Sequence, residues 1–281
     1  MNIARTVAQL RAMQRGRLHG ARVGFVPTMG ALHDGHTALM RAARTESDEV
    51  VASIFVNPTQ FNDATDLAKY PRQEARDAEL CREAGVDTLF VPAVDEMYPD
   101  DLATSLTIGG PALGFEGDHR PGHFNGVAIV CLKLFSIVLP TVAYFGQKDA
   151  QQVAVLQQLV RDTNLPLEIR VRPTIRAASG LALSSRNARL SPDEMDRALA
   201  IPRALMAGLA AYQTGVDPVA AARPLLAGLD VEYVGIAHFH GEPTLVVAAR
   251  AGATRLIDNV PLKHPALAGL PPALAGLPID K

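Results

Sequence analysis

Along the first 175 residues, short unbroken apolar runs alternate with segments whose apolar positions recur every three or four residues. The first kind predicts buried strands and the second amphipathic helices. Strands are expected over residues 22–26 (RVGFV), 49–56 (EVVASIFV), 88–91, 102–110, 141–145 and 167–171. Residues 2–18, with Ile3, Val7, Leu10 and Met13 near helical spacing, predict a helix packed on the sheet edge. Further helices are expected from Thr37, over 71–84, over 124–139 and from Ala150. This alternation implies an α/β fold, a Rossmann-like doubly wound parallel sheet with helices on both faces.

After residue 174 the pattern changes. Helices over 192–212 and 219–226, then strands over 231–239, 244–250 and 254–257, predict a smaller α+β C-terminal domain. The expected boundaries are 1–175 for the sheet domain, 176–262 for a C-terminal lid domain and 263–281 for a tail. The tail repeats PALAGLP at 265–271 and 272–278, and so much proline and glycine predicts an extended or disordered end.

Polar residues follow the predicted strands, where a doubly wound sheet binds its ligands. His33 and His36 lie where the first strand gives way to a helix. A helix N-terminus leaves backbone N–H groups unpaired, and two imidazole donors there suit an anion whose charge grows during reaction. Gly30 and Gly35 are expected to let the backbone approach that anion. Asn57 and Gln60 follow the next strand, Asn57 also being a natural turn former before Pro58, and Arg120 in the glycine-rich loop GFEGDHRPGH reads as a phosphate or carboxylate clamp or as an exposed salt-bridge partner. His119 and His123 are four apart, but Pro121 and Gly122 between them argue against a metal-binding helix. Lys148 can neutralise phosphate and Asp149 can hold a ribose, with Gln152 one turn onward. Ser184, Ser185 and Arg186 read as a mobile phosphate-binding loop, with a helix cap or linker as the alternative. Asp77 and Glu79 read as a solvated helix face, and His238 and His240 as a structural pair on one strand face.

Composition narrows the classes. With 27 Lys+Arg against 29 Asp+Glu the net charge is −2, which argues against a nucleic-acid or membrane-surface protein. The longest apolar segment, 126–139, contains Lys133 and is too short to span a bilayer. Two cysteines and no signal-like start suggest a reducing, cytoplasmic setting. Neither cysteine lies in a strand-end loop, and no G-x-S-x-G or P-loop motif is present, so positioning and charge stabilisation are expected rather than covalent catalysis.

The blocks PTMGALHDGH, FVNPTQF, RPGHF, FGQKDAQQ, GLALSSRN and TRLIDN occur in that order, and together residues 2–259 resemble the pantothenate synthetase (pantoate–β-alanine ligase) family of the HxGH nucleotidylyltransferases. The resemblance implies an enzyme in which pantoate attacks ATP to give pantoyl adenylate and pyrophosphate, and β-alanine then displaces AMP. By that similarity His33, His36, Lys148, Ser184, Ser185 and Arg186 bind phosphates, and Gly146 and Asp149 hold the ribose. Gln60 and Gln152 grip pantoate, Met29 and Asn57 line the site, and Arg120 acts at the phosphate or carboxylate end. The resemblance also implies Mg2+ with ATP and a homodimer. Ala150, Arg76, residues 177–179 and residues 235–243 depart from the family pattern, and the lost acidic side chains leave no protein metal ligand to name. Two alternatives stay open: a related nucleotidylyltransferase acting on a phosphorylated acceptor, and a binding protein that keeps the fold without turnover.

Overall fold

Successive side chains of a strand point to opposite faces of its sheet, so a strand covered on both faces is apolar throughout. The computed structural model, which describes residues 1–17 and 19–270, shows this in its first sheet. Six strands, β1 (Asn2–Ala4), β2 (Val23–Thr28), β3 (Glu49–Ile54), β4 (Thr88–Phe90), β5 (Val142–Gly146) and β6 (Glu168–Arg172), lie in the order β1-β4-β3-β2-β5-β6. Parallel ladders join β1 to β4, β4 to β3, β3 to β2 and β2 to β5. Phe25, Val51, Phe90 and Ala143 face one core with α1 (Val7–Gln14) and the later helix His123–Val138. Val26, Val50, Ala52, Leu89 and Tyr144 face a second core with α2 (Asp34–Glu46). The strand order reverses between β2 and β5, the place where such sheets open a crevice at their carboxyl ends.

Other elements of this unit are α3 (Ala64–Ala68), α4 (Glu74–Glu83), α5 (Val94–Met97), α6 (Glu116–His119), α7 (His123–Val138) and α8 (Ala150–Asp162). Several expectations need correction. The single helix over 2–18 is a strand, Asn2–Ala4, paired with β4 and followed by α1, because edge pairing captures the first residues; Leu18 lies outside the described residues. Pro27 and Thr28 continue β2 beyond residue 26, the expected end of the strand. The β5 ladder involves only Gly24 and Phe25, so no bond to that neighbour is lost where proline lacks its N–H. No strand forms over 102–110. There Leu106 and Ile108 pack on the first core, and the Ile108 N–H goes to Asn125 Oδ1 at 3.0 Å.

The second unit comprises Gly146–Ala150 and the chain from Arg172. The helix expected over 192–212 is two, α9 (Pro192–Ala198) and α10 (Ala200–Gln213), followed by α11 (Pro218–Ala222). An antiparallel sheet of β7 (Asp230–Phe239), β8 (Glu242–Ala251) and β9 (Thr254–Pro261) packs Leu245, Val247 and Ala249 against Leu205 and Leu209 of α10. His240 leaves the β7 face, standing in the turn at φ +52°, while His238 stays in the ladder opposite Pro243. The described part of the first PALAGLP copy, residues 265–270, is not extended. It forms a 3-10 turn, Pro265–Ala268, whose Leu267 carbonyl accepts from the Thr174 N–H at 2.9 Å. The second copy lies outside the described residues, Pro271 and beyond.

A buried ion pair fixes this unit. Arg176 Nη1 and Nη2 meet Asp258 Oδ2 and Oδ1 at 2.6 and 3.0 Å, with both side chains 2% exposed. Arg176 also donates to the Gly180 and Ala268 carbonyls, so its buried charge is matched by acceptors on three segments. Removing one partner of such a pair strands the other charge. Asp258→Ala is expected to lower stability by about 3–5 kcal/mol. Urea unfolding checks this, and a loss well under 1 kcal/mol contradicts the stated role.

Candidate active site

β2 ends at Thr28, whose Oγ1 donates to the Ser53 carbonyl at 2.7 Å and accepts from the Gly30 N–H at 3.2 Å. The chain then turns left-handed, with Gly30 at φ +80° and Ala31 at φ +52°. The N–H groups of Ala31 and Leu32 donate to Asp77 Oδ2 and Oδ1 at 2.8 and 2.9 Å. Asp77 is 1% exposed, not the solvated charge expected of it. A signal was available: in α4 it stands one and two turns before Cys81 and Ala84, on the apolar face. Burial, with the nearby Asp77 charge, pushes the Cys81 thiol up to about 12, and burial alone does the same to Cys131. Neither is a nucleophile near neutral pH.

α2 begins at Asp34, three residues earlier than expected, and His33 is its N-cap. His33 Nδ1 accepts from the Gly35 N–H at 3.1 Å, and His36 Nδ1 accepts from the His33 N–H at 3.3 Å. The two rings stack with centroids 4.1 Å apart. The pair is thus a capping box made of imidazoles. An Nδ1 that accepts carries no proton, so each neutral ring bears its hydrogen on Nε2. Both glycines make room for neighbouring side chains. A Cβ at Gly35 would lie 2.8 Å from His33 Cε1, and one at Gly30 would lie 3.0 Å from Asp77 Oδ2.

Beyond β3, Asn57 is 1% exposed and its orientation is fixed by backbone groups. Its Oδ1 accepts from the Thr59 N–H at 3.3 Å and from Tyr98 Oη at 2.9 Å, while Nδ2 donates to the Gly126 carbonyl at 3.0 Å. Burial pushes the Tyr98 hydroxyl up, which keeps it a donor. Asn57 Nδ2 also donates to Gln60 Oε1 at 2.9 Å, leaving Gln60 Nε2 turned to Met29 Sδ at 3.1 Å. Asn57 therefore orients Gln60. Gly126 permits the close approach of α7, since a Cβ there would lie 2.3 Å from the Thr59 carbonyl oxygen.

Arg120 is anchored by Glu116, 3.6 Å away, and by the Gln60 carbonyl at 3.3 Å. His123 is buried at the start of α7 with Nδ1 2.8 Å from the same carbonyl oxygen, so it braces that loop. Of the two adjacent glutamines in α8, Gln151 is buried and ties the Pro111, Leu113 and Gly114 carbonyls together, while Gln152 is half-buried.

In the second unit, Gly146 leads into a 3-10 turn, Gln147–Asp149. Asn259, 3% exposed, donates to the Gln147 and Lys148 carbonyls at 3.0 and 2.8 Å and accepts from Gln147 Nε2 at 3.0 Å. This clamp on the lysine turn was not read from the sequence, although Asn259 ends the TRLIDN block. Lys148 Nζ lies 3.6 Å from Asp149 Oδ1. Ser184 caps the 3-10 turn Ser185–Arg189 by accepting from the Arg186 N–H at 3.3 Å, and Asn187 Nδ2 holds the Ala182 carbonyl at 2.9 Å. No group of three or more His, Cys, Asp or Glu able to hold a metal occurs among the described residues.

The histidine geometry has a direct readout. Long-range 1H–15N spectra at alkaline pH are expected to show both Nδ1 atoms unprotonated and both Nε2 atoms protonated. Gly35→Ala is expected to change the His33 resonances, because the added methyl meets the ring. Protonated Nδ1 in either ring of the wild-type protein contradicts the capping arrangement.

The family model for pantoate–β-alanine ligase matches residues 2–261. Pantothenate synthetase of Rhizorhabdus wittichii is 48% identical over 276 residues, covering 92% of this chain and 98% of its own. The structure of pantothenate synthetase from Thermus thermophilus superposes with a TM-score of 0.88 at 44% identity, covering 93% of this chain and 99% of that one. The pantoate–β-alanine ligase of Francisella tularensis, solved in complex with β-γ ATP and β-alanine, has a TM-score of 0.80 at 35% identity, covering 94% and 98%. On a match spanning nearly the whole described chain, this protein belongs to the pantoate–β-alanine ligase family.

Proposed function

We propose a division of labour among these residues for the family's reaction, the ATP-dependent condensation of pantoate with β-alanine. In the first step a pantoate carboxylate oxygen attacks the α-phosphorus of ATP, pyrophosphate leaves, and pantoyl adenylate forms. In the second the β-alanine amine attacks the acyl carbon, AMP leaves, and the amine loses a proton as the amide forms. Neither step needs an enzyme nucleophile, and both cysteine thiols of the chain are buried in its cores and protonated.

The observation that carries this reading is the imidazole capping box. With both Nδ1 atoms committed to backbone N–H groups, His33 and His36 offer Nε2–H donors to phosphate oxygens at the start of α2. Lys148, Ser184, Ser185 and Arg186 add charge and hydroxyl donors for the phosphates, while Gly146 and Asp149 hold the ribose. Gln60 and Gln152 bind pantoate, with Met29 and Asn57 lining its site. Asn57 makes Gln60 a donor toward an acceptor oxygen of pantoate. Arg120, held by Glu116, takes the carboxylate or phosphate end.

Magnesium would accompany ATP, with the triphosphate oxygens supplying ligands to it. When bound it neutralises charge on the phosphate oxygens. We take the working state to be a cytoplasmic homodimer, as the family resemblance implies; no described helix is long and apolar enough to cross a membrane.

His36→Ala is expected to slow pyrophosphate release from ATP and pantoate about 100- to 1,000-fold, as for a lost transition-state donor. In the wild-type protein, release must require pantoate, and AMP must follow on adding β-alanine. Near-normal turnover by folded His36→Ala overturns the donor role. Release that needs a phosphorylated acceptor in place of pantoate assigns the pocket to the related nucleotidylyltransferases.

A further inference from the structure

We infer that Asp77 is a positioning residue for the two histidines, acting through the backbone of the turn that precedes them. This rests on the reading of His33 and His36 as phosphate donors. A carboxylate 1% exposed needs hydrogen bonds to offset its lost hydration, and two come from consecutive N–H groups, those of Ala31 and Leu32. Successive N–H groups in a left-handed turn form an anion-binding concavity. Here the chain fills that concavity with its own carboxylate, so the phosphate-binding groups left at this loop are the imidazoles and the start of α2.

The path from Asp77 to the histidines is short. Leu32 N–H, held by Oδ1, is one residue before the His33 N–H that His36 Nδ1 accepts. A shift of the turn moves that N–H and loosens both rings together. The turn is demanding, because Ala31 sits at φ +52°, a region unfavourable to any residue with a Cβ. Tyr70 Oη, 3.5 Å from the Gly30 carbonyl oxygen, steadies the same turn from the other side of the peptide. Asp77 and Tyr70 flank the start of α4, whose packing through Ala78 and Cys81 on the second core gives the carboxylate a fixed base.

The test is a double-mutant comparison read by pyrophosphate release. Asp77→Asn keeps the volume and one oxygen but turns an NH2 toward one of the two backbone N–H groups. We expect a loss of about 10- to 100-fold in the rate of adenylation, with the KM for pantoate little changed, as for a small displacement of catalytic groups. On a His36→Ala background, Asp77→Asn is expected to cost much less, because part of what it positions is already gone. An equal loss on both backgrounds, an effect confined to KM, or a normal rate overturns the proposal. Should Asp77→Asn fail to fold, Gly30→Ala tests the same link. Its Cβ would stand 3.0 Å from Asp77 Oδ2 and 3.1 Å from Ile54 Cγ2, and at φ +80° it strains the turn while leaving the carboxylate in place. The same fall in rate without a change in KM is expected, and a normal rate in folded Gly30→Ala overturns the proposal. His36→Ala running at a normal rate overturns the donor reading itself, whereas a slow His36→Ala beside a normal Asp77→Asn overturns only the role of Asp77.

Discussion

Everything at the histidine site depends on how the first backbone N–H groups of α2 are satisfied. A helix start leaves its first N–H groups without intrahelical partners, and short polar side chains or water usually take them. Here the imidazole Nδ1 atoms of His33 and His36 do so. Each bond settles two questions at once, the orientation of the ring and the nitrogen that keeps the proton. The helix end is capped by groups that carry a second ring nitrogen, Nε2, beyond the one the cap uses. A serine cap would satisfy the helix equally well but would present no such preset Nε2–H.

The same economy recurs away from the histidines. Asn57 is hemmed in by groups whose donor or acceptor character is not negotiable, the Thr59 N–H and the Gly126 carbonyl, so the polarity it passes to Gln60 is also fixed. In the second unit Asn259 holds the turn that carries Lys148, and the neighbouring Asp258 pairs with Arg176. Buried groups of this kind cost stability unless fully matched, which is why each is surrounded by backbone partners. Flexible candidate side chains such as Gln60 and Lys148 are thereby hung on rigid, satisfied supports.

Sequence alone determined the class of fold and the candidate chemistry. Unbroken apolar runs in β2, β3 and β5 follow from burial on both faces, and polar clusters at the strand ends follow from where an open α/β sheet leaves room. Both are local patterns, legible one residue after another. The six motif blocks then located His33, His36, Gln60, Lys148 and Ser184–Arg186 by spacing and named the family.

What the tertiary structure decided depends on distant partners. Residues 2–4 are a strand because β4 lies beside them, and residues 102–110 are not one because no ladder receives them. Asp77 looks like any helix-surface charge until the chain folds Ala31 and Leu32 onto it, 46 and 45 residues away in sequence. Gln151 and Gln152 are indistinguishable by type, yet burial makes the first a loop clamp. Periodicity reports which face a residue occupies, whereas a hydrogen bond needs both ends in place, and only the folded chain brings the second end.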